Sequence, residues 1–365
     1  MFQYVLWFFV CREVLHTRLT ILPQKKVSGR ALCVVVFFTY VALITMLRSR
    51  TVGSDTSNYY NTFRYIVSTD SLHDLMYHGD RNIMKSPVYY MIQYFISRII
   101  SNPQIYIAFF SFIIALSFGI YIYKSSTDVW FSCFLYFGMM HFFMSMNIMK
   151  QFTATAIVIN AYLYLRNNIM SLKGWLLYII ALFIHSSCIF FLPNIFFSRM
   201  AKKTSVKKIT LIAGLSAVVV GYLIAYGINL FSAIFSAYEV YGGANEVLTI
   251  PKSGARKLLY YTFLLGHAAL YALRAWRSKT SDMDYPNAIF GMVIAMLFSR
   301  NVLIVRMARY YEISYLTFIP TVFSMYPKGE RRLLYCLCFV ALFIYSTWNL
   351  LENKGAYVPY RLFFM

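Results

Sequence analysis

Acidic side chains are scarce in this chain: 13 Asp and Glu stand against 34 Lys and Arg. None of the carboxylates falls in the middle of an apolar run. No group of His, Cys, Asp and Glu has metal-ligand spacing, so no metal is expected. A Gly-rich phosphate loop is missing, which argues against ATP use, and no cofactor is expected. The Gly-x-Ser-x-Gly elbow of a serine hydrolase is missing too. Cys11, Cys33, Cys133, Cys188, Cys336 and Cys338 lie in or beside apolar runs without disulfide or metal spacing, and read as small buried hydrophobes. Met1 to Val10 is apolar, but no positive segment precedes it and no small-residue cleavage site follows. The first span is therefore expected to serve as a signal anchor. Internal repeats, low-complexity stretches and hydrophilic domains are lacking, so residues 1–365 are read as a single polytopic domain.

Charge of either sign is thin, at 13% of the chain, where a soluble domain carries about a quarter. What fills the chain instead is apolar, 60% of all residues. Long runs recur at 104–123, 129–146, 174–197, 209–235, 286–304 and 332–350. Each is long enough to cross a hydrocarbon core of about 30 Å as a helix. The runs do not alternate as barrel strands would. The expected fold is an all-α polytopic membrane protein of about 10–12 transmembrane helices.

Basic loops set the orientation. Arg12, Arg18, Lys25, Lys26 and Arg30 are placed in the cytoplasm by the positive-inside rule. An external loop then runs over 48–103, and residues 87–100, mixed with Gln93, Ser97 and Arg98, suit an interfacial helix. Both flanks of 174–197 are basic, so a helical hairpin turning near His185-Ser186-Ser187 is favoured over one span. The same threading leaves Arg48, Arg50, Arg64, Lys150, Arg300, Arg306 and Arg309 at the external face, against the charge bias. Basic residues held there suit an anionic ligand. That points to a membrane enzyme or carrier for a phosphorylated lipid, and not to a nucleic-acid binder.

Four constellations could carry chemistry. Arg48 to Asp55 includes Arg50 and a turn at Gly53, and at helical spacing Asp55, Tyr59 and Phe63 share a face. It reads as a span-to-loop cap with juxtamembrane arginines, or as a place for a sugar beside a phosphate. Asn147, Lys150 and Gln151 open a helix, where Lys150 is a snorkelling lysine or a site residue. His185, with Ser186 and Ser187, is a satisfied structural histidine or an ionisable group placed at membrane depth for function. Arg306 and Arg309 point the same way, followed by Tyr310 and Tyr311, with Arg300 upstream. Their guanidinium groups suit bidentate phosphate contacts or a lipid headgroup.

Gly53-x-Asp55-x(3)-Tyr59, the Asn147-to-Gln151 helix start, Phe183-Ile-His185-Ser186, Arg306-x-x-Arg309-Tyr310-Tyr311 and Val358-Pro359-Tyr360-Arg361 occur in that order. Together they resemble the EpsG-like branch of Wzy-type polysaccharide polymerases, which includes O-antigen polymerases. The resemblance covers residue 48 to the end. Two positions depart from it: Lys150 stands where that family usually has Arg, and Thr56 follows the Asp where Tyr is common. The resemblance implies a glycosyltransferase of the bacterial inner membrane, with its active site toward the periplasm. It would polymerise undecaprenyl-diphosphate-linked oligosaccharide repeat units into O-antigen or a related surface polysaccharide of lipopolysaccharide biosynthesis. Asp55, His185, Arg306 and Arg309 are then the expected catalytic residues. Arg50, Tyr59, Lys150, Gln151, Arg300, Tyr310 and Tyr311 would bind substrate or diphosphate. Expected partners are the lipid-linked oligosaccharide, membrane lipids and a chain-length regulator protein. The rival readings are a flippase of the same lipid, for which inverted repeats would be expected, and an O-antigen ligase.

Overall fold

Apolar runs become either one long helix or two short ones, depending on what interrupts them. A computed structural model describes residues 20–22, 25–26, 29–77, 83, 85–234, 254–298 and 302–364. Near the start, β1 (Thr20–Leu22) pairs antiparallel with β2 (Lys25–Lys26), the one sheet among the described residues. Everything regular that follows is helical. In order come α1 (Gly29–Leu47), α2 (Thr56–Ser68), α3 (Leu72–Tyr77), α4 (Pro87–Ile99), α5 (Pro103–Ser125), α6 (Val129–Gly138), α7 (His141–Asn147), α8 (Met149–Leu165) and α9 (Leu172–Ile184). They are followed by α10 (Leu192–Ala201), α11 (Val206–Ile234), α12 (Gly254–Ala275), α13 (Tyr285–Leu297), α14 (Val302–Glu312), α15 (Tyr315–Ser324) and α16 (Lys328–Glu352).

The all-α polytopic expectation holds. Among the described residues, α1, α5, α16 and residues 206–224 of α11 are long and apolar enough to cross a membrane. The bent pair α6 and α7 makes a fifth if taken as one span. This is fewer than the 10–12 spans expected, because several apolar runs break. Run 129–146 breaks at Met140, whose φ of 67° ends one helix, and α7 restarts at 52° to α6. Run 174–197 breaks at His185, which takes an extended backbone and caps α9. A 3₁₀ stretch, Ser186–Phe191, follows, and Pro193 in the first turn of α10 restarts the α-helix. The break sits where a turn was expected. Helix α13, at 13 residues, is too short to span.

Composition offers no boundary, yet the chain has two compact units. Unit 1 is Met1–Leu165, Ile169–Cys188 and Lys328–Met365; unit 2 is Arg166–Asn168 and Ile189–Pro327. No hydrophilic linker marks the crossings, which is why the sequence reads as one domain.

Within unit 1, α1 packs on α5 and α8 on α9 through close approaches at glycine. A Cβ at Gly119 would lie 3.2 Å from the Phe38 ring, and one at Gly174 2.7 Å from Leu165. Polar caps set the helix starts. Asn102 accepts from Gln104 N–H at 2.9 Å, and Asp128 accepts from Phe131 N–H at 3.1 Å. The other Asp128 oxygen accepts from the Tyr335 hydroxyl at 2.7 Å, tying α6 to α16. Helix α4 has the amphipathic character expected of 87–100: Tyr89, Tyr90, Gln93 and Ser97 are buried, while Phe95 and Ile99 are exposed. Arg98 donates to the carbonyls of Ile66 and Val67 at 2.8 and 3.0 Å, at the end of α2 where the helix dipole favours a cation.

In unit 2, α13 is the central element and is buried along most of its length. Tyr311 packs so closely on Gly291 that a Cβ there would lie 2.1 Å from the Tyr311 Cβ. A polar knot surrounds the start of α13. Thr317 donates to Asp284 at 2.7 Å, Asp284 N–H donates to Asp282 at 2.8 Å, and Asp282 N–H donates to the Tyr271 hydroxyl at 2.6 Å.

Candidate functional site

The turn after α1 is built around Gly53, whose φ of +90° favours glycine. A Cβ there would also sit 2.9 Å from the Met146 carbonyl, so the position is closed to larger residues twice over. Thr56 secures the turn by donating to the Val52 carbonyl at 2.7 Å. Asp55 takes the N-cap position of α2, but its carboxylate makes no capping bond. Asn147 does that work from the end of α7. Its side-chain oxygen accepts from Asp55 N–H at 2.9 Å and from the Ser54 hydroxyl at 2.8 Å. Two motifs 92 residues apart thus form one structure.

Lys150 joins the same cluster. Its backbone N–H, at the start of α8, hydrogen-bonds the Tyr59 hydroxyl oxygen, and its ammonium lies 5.4 Å from the Tyr90 ring centroid. Burial first, and the charge of Asp55 second, hold the Tyr59 phenol above its ordinary pKa, so it stays protonated. Asp55, Tyr59, Asn147 and Lys150 therefore stand together as a carboxylate, a neutral phenol, an amide and a cation. Phe63, expected on the same face, is instead core, stacked on Tyr106 at 5.2 Å. Gln151 is buried in α8, its backbone carbonyl accepting from Thr155 at 2.8 Å.

Behind the turn lies Arg48, which is 0% exposed. Its guanidinium donates to the Thr45 carbonyl, to the Ser111 hydroxyl at 3.0 Å and to the Met146 carbonyl at 3.4 Å. Desolvation pulls its pKa down to about 10, which leaves it charged. Sequence placed Arg48 among the external cations; it is an internal strut. Gln104 bonds both the Met46 and Arg48 carbonyls and accepts from Tyr60. Arg50 is exposed, and its carbonyl accepts from the Ser57 hydroxyl at 3.0 Å.

A strap from the C-terminal segment covers this turn. Ser49 N–H donates to the Arg361 carbonyl at 2.8 Å, Gly53 N–H to Ala356 at 2.9 Å and Ser54 N–H to Gly355 at 3.0 Å. Phe363 N–H donates back to Leu47 at 2.9 Å, and the Tyr360 hydroxyl to Ile44 at 2.6 Å. Asn353 folds the strap by accepting from Tyr357 and Val358 N–H.

His185 sits at the end of α9, with Nδ1 2.6 Å from the Ser187 hydroxyl. In unit 2, Arg306 is exposed and Arg309 partly exposed, three residues apart on α14. Arg309 and Lys257 surround the buried Glu312 electrostatically. Tyr310 and Tyr311 are buried: the Tyr310 ring meets Phe191 edge-on at 6.4 Å, and the Tyr311 hydroxyl donates to the Phe190 carbonyl at 2.7 Å. Arg300 lies outside the described residues.

Two polar side chains emerge that sequence reasoning left out of the site. Asn147 was noted only as a helix start, and its oxygen anchors the Asp55 turn. Gln93 is 1% exposed, and neither atom of its amide has a hydrogen-bond partner among the described residues. A lone amide in the buried stripe of an amphipathic helix was the signal for it. Among the described residues no group of three or more His, Cys, Asp and Glu could hold a metal ion.

The family model of the EpsG family matches this chain across residues 30–362. No curated protein and no solved structure matches it.

Proposed function

Since the chain belongs to the EpsG family, membership of which points to a polysaccharide-polymerase-like activity, we propose that it elongates a surface polysaccharide from lipid-diphosphate-linked repeat units. The match across 30–362 is the observation that carries this reading. The substrate proposed is an undecaprenyl-diphosphate-linked oligosaccharide, used at the periplasmic face of the inner membrane without a metal, alongside a chain-length regulator.

In the proposed step, the hydroxyl oxygen at the non-reducing end of one unit attacks the anomeric carbon of the other glycan. The bond from that carbon to the diphosphate oxygen breaks, and the lipid diphosphate leaves with the electron pair. Its leaving oxygens gain charge, which fixed cations stabilise better than water can. Arg306 and Arg309 are assigned that role because both reach solvent on one helix while their tyrosine neighbours are committed to packing. Asp55 is assigned the acceptor's proton, since the turn holds its carboxylate in one cluster with Tyr59, Asn147 and Lys150. Lys150 and Tyr59 would hold the acceptor beside it, and His185 is kept as the alternative base.

The test is chain growth by purified protein from a defined lipid-linked repeat unit. Arg306→Ala and Arg309→Ala should each lower elongation at least a hundredfold, with wild-type amounts of folded protein in the membrane. Polymer of normal length from both variants would remove the diphosphate role. Unextended substrate under all conditions with the wild-type protein would remove the polymerase reading.

A further inference from the structure

His185 and Ser187 share one hydrogen-bonded turn where α9 gives way to the 3₁₀ stretch. The His185 N–H donates to the Ala181 carbonyl at 2.9 Å, and the His185 carbonyl accepts from Cys188 N–H at 3.0 Å. The Tyr178 hydroxyl donates to the Cys188 carbonyl at 3.1 Å. The backbone on both sides of the imidazole is thereby fixed.

The ring is fixed as well. Its Nδ1 lies 2.6 Å from the Ser187 hydroxyl oxygen and 3.3 Å from the Ser187 backbone nitrogen. A hydroxyl can give or take a hydrogen, but a backbone N–H can only give one. The N–H therefore sets the direction: Nδ1 accepts, and the ring's own hydrogen is on Nε2. A general base takes its proton on the bare nitrogen. In His185 that nitrogen is Nδ1, and Ser187 occupies it. Nε2, on the opposite edge of the ring, is left as a donor.

Helix register places this donor near the Asp55 cluster. Helices α8 and α9 pack along one another across the short turn 166–171. Gly174 of α9 lies against Leu165 of α8, where an added Cβ would be 2.7 Å from the leucine. Eleven residues on from Gly174, His185 is then level with Ala154 of α8. Lys150 is one turn beyond, about 5.4 Å along the axis. His185 thus stands one turn inside the end of α8 that meets Asp55, Tyr59 and Asn147. An ionisable side chain among apolar helices at that depth is a functional candidate.

We propose that Ser187 holds His185 as the Nε2–H tautomer, so that His185 donates a hydrogen bond to a substrate oxygen and takes no proton. Ser187 is then a positioning residue, and Asp55 is left as the base of unit 1. The substrate rests on the polymerase reading; the tautomer does not.

The tautomer is read by NMR of the full chain labelled with nitrogen-15 in its histidines, His185→Gln identifying the His185 signals by their loss. Wild type is expected to show Nδ1 bare and Nε2 protonated, and Ser187→Ala both tautomers. A hydrogen on Nδ1 in wild type, or an unchanged single tautomer in Ser187→Ala, would overturn the proposal. Chain growth tests the use made of the ring, with equal unfolding midpoints as the check on folding. Glutamine keeps an N–H that reaches as far as Nε2, so His185→Gln should stay within about tenfold of wild type, while His185→Ala loses at least about a hundredfold. Equal loss in both would make His185 the base and overturn the donor role. Ser187→Ala should lower chain growth about tenfold, and Ser187→Thr, which keeps the hydroxyl, should restore it. A threonine variant as impaired as the alanine one would remove the positioning role. If wild type never elongates, the polymerase reading fails, and the ring spectrum still decides the tautomer.

Discussion

Arg48 and Arg306 belong to the same anomalous set of cations, and the fold uses them in opposite ways. Arg48 is sealed inside unit 1, its guanidinium spread over two backbone carbonyls and a serine. Arg306 is exposed on α14 in unit 2, and there the neighbouring tyrosines do the packing. A guanidinium can be buried only where enough acceptors converge on it. The end of α1 supplies them because α1, α5 and the α7–α8 junction meet there. The lesson is that charge against the topology bias marks two populations, buried struts and exposed cations, and that burial separates them.

The sharpest way to break this contrast is Arg48→Ala. It removes the guanidinium from two buried carbonyls, leaving Thr45 with the Ser111 hydroxyl at 3.4 Å and Met146 with the Thr56 hydroxyl at 3.3 Å, and it opens a void in the core. Loss of monodisperse protein in detergent size-exclusion chromatography is expected, whereas Arg306→Ala should elute like wild type. Normal elution of both would make Arg48 dispensable.

Gly53→Ala comes next. Alanine would have to hold a φ of +90° and place its Cβ 2.9 Å from the Met146 carbonyl, for about 1–3 kcal/mol of strain. A lower unfolding midpoint is expected, with a loss of chain growth larger than the midpoint predicts, because Asp55 moves with the turn. Unchanged elongation would detach Asp55 from the chemistry.

Gln93→Leu should act in the reverse direction. The buried amide makes no bond among the described residues, so an apolar side chain of similar volume removes a desolvation penalty of about 1–3 kcal/mol. A higher midpoint is expected by differential scanning fluorimetry. If the midpoint drops instead, the amide has a structural partner in the folded protein.

The smallest effect concerns pH. Burial, and then the charge of Asp284, push Asp282 up to about 7, with Arg166 opposing. The folded protein thus holds a proton that an unfolded chain releases near pH 4. Stability from this group therefore falls as pH rises from about 4 to about 7 and is constant above. Asp282→Asn keeps an oxygen for the Asp284 N–H and removes the ionisation. It should melt higher than wild type at pH 8, with the gap closing at pH 4. A gap of equal size at both would show that ionisation is not the cause.

Helical class and membrane character were legible because apolar runs near 20 residues leave few alternatives. The turn at Gly53 was legible from one residue, and the break at His185 from the basic flanks on both sides of its run. The meeting of Asp55 with Asn147 and Lys150 was not, since short motifs carry no sign of which partners they find across 92 residues. The fate of Arg48 was hidden for a related reason: it sits two residues from the exposed Arg50, and only the packing of α5 and α7 around it tells them apart. Met140 gave no warning of the α6–α7 break, because methionine is an ordinary helix residue and nothing in its side chain favours the φ of 67° it adopts.

The strap over the Gly53 turn has a bearing on how the protein is made. The hydrogen bonds that Leu47, Ser49, Gly53 and Ser54 exchange with residues 355–363 can form only after the ribosome has reached those later residues. The loop carrying Asp55 is translated well before the strap that completes it. A nascent chain therefore waits with that loop unstrapped through the insertion of every intervening helix, and a truncated product never closes it.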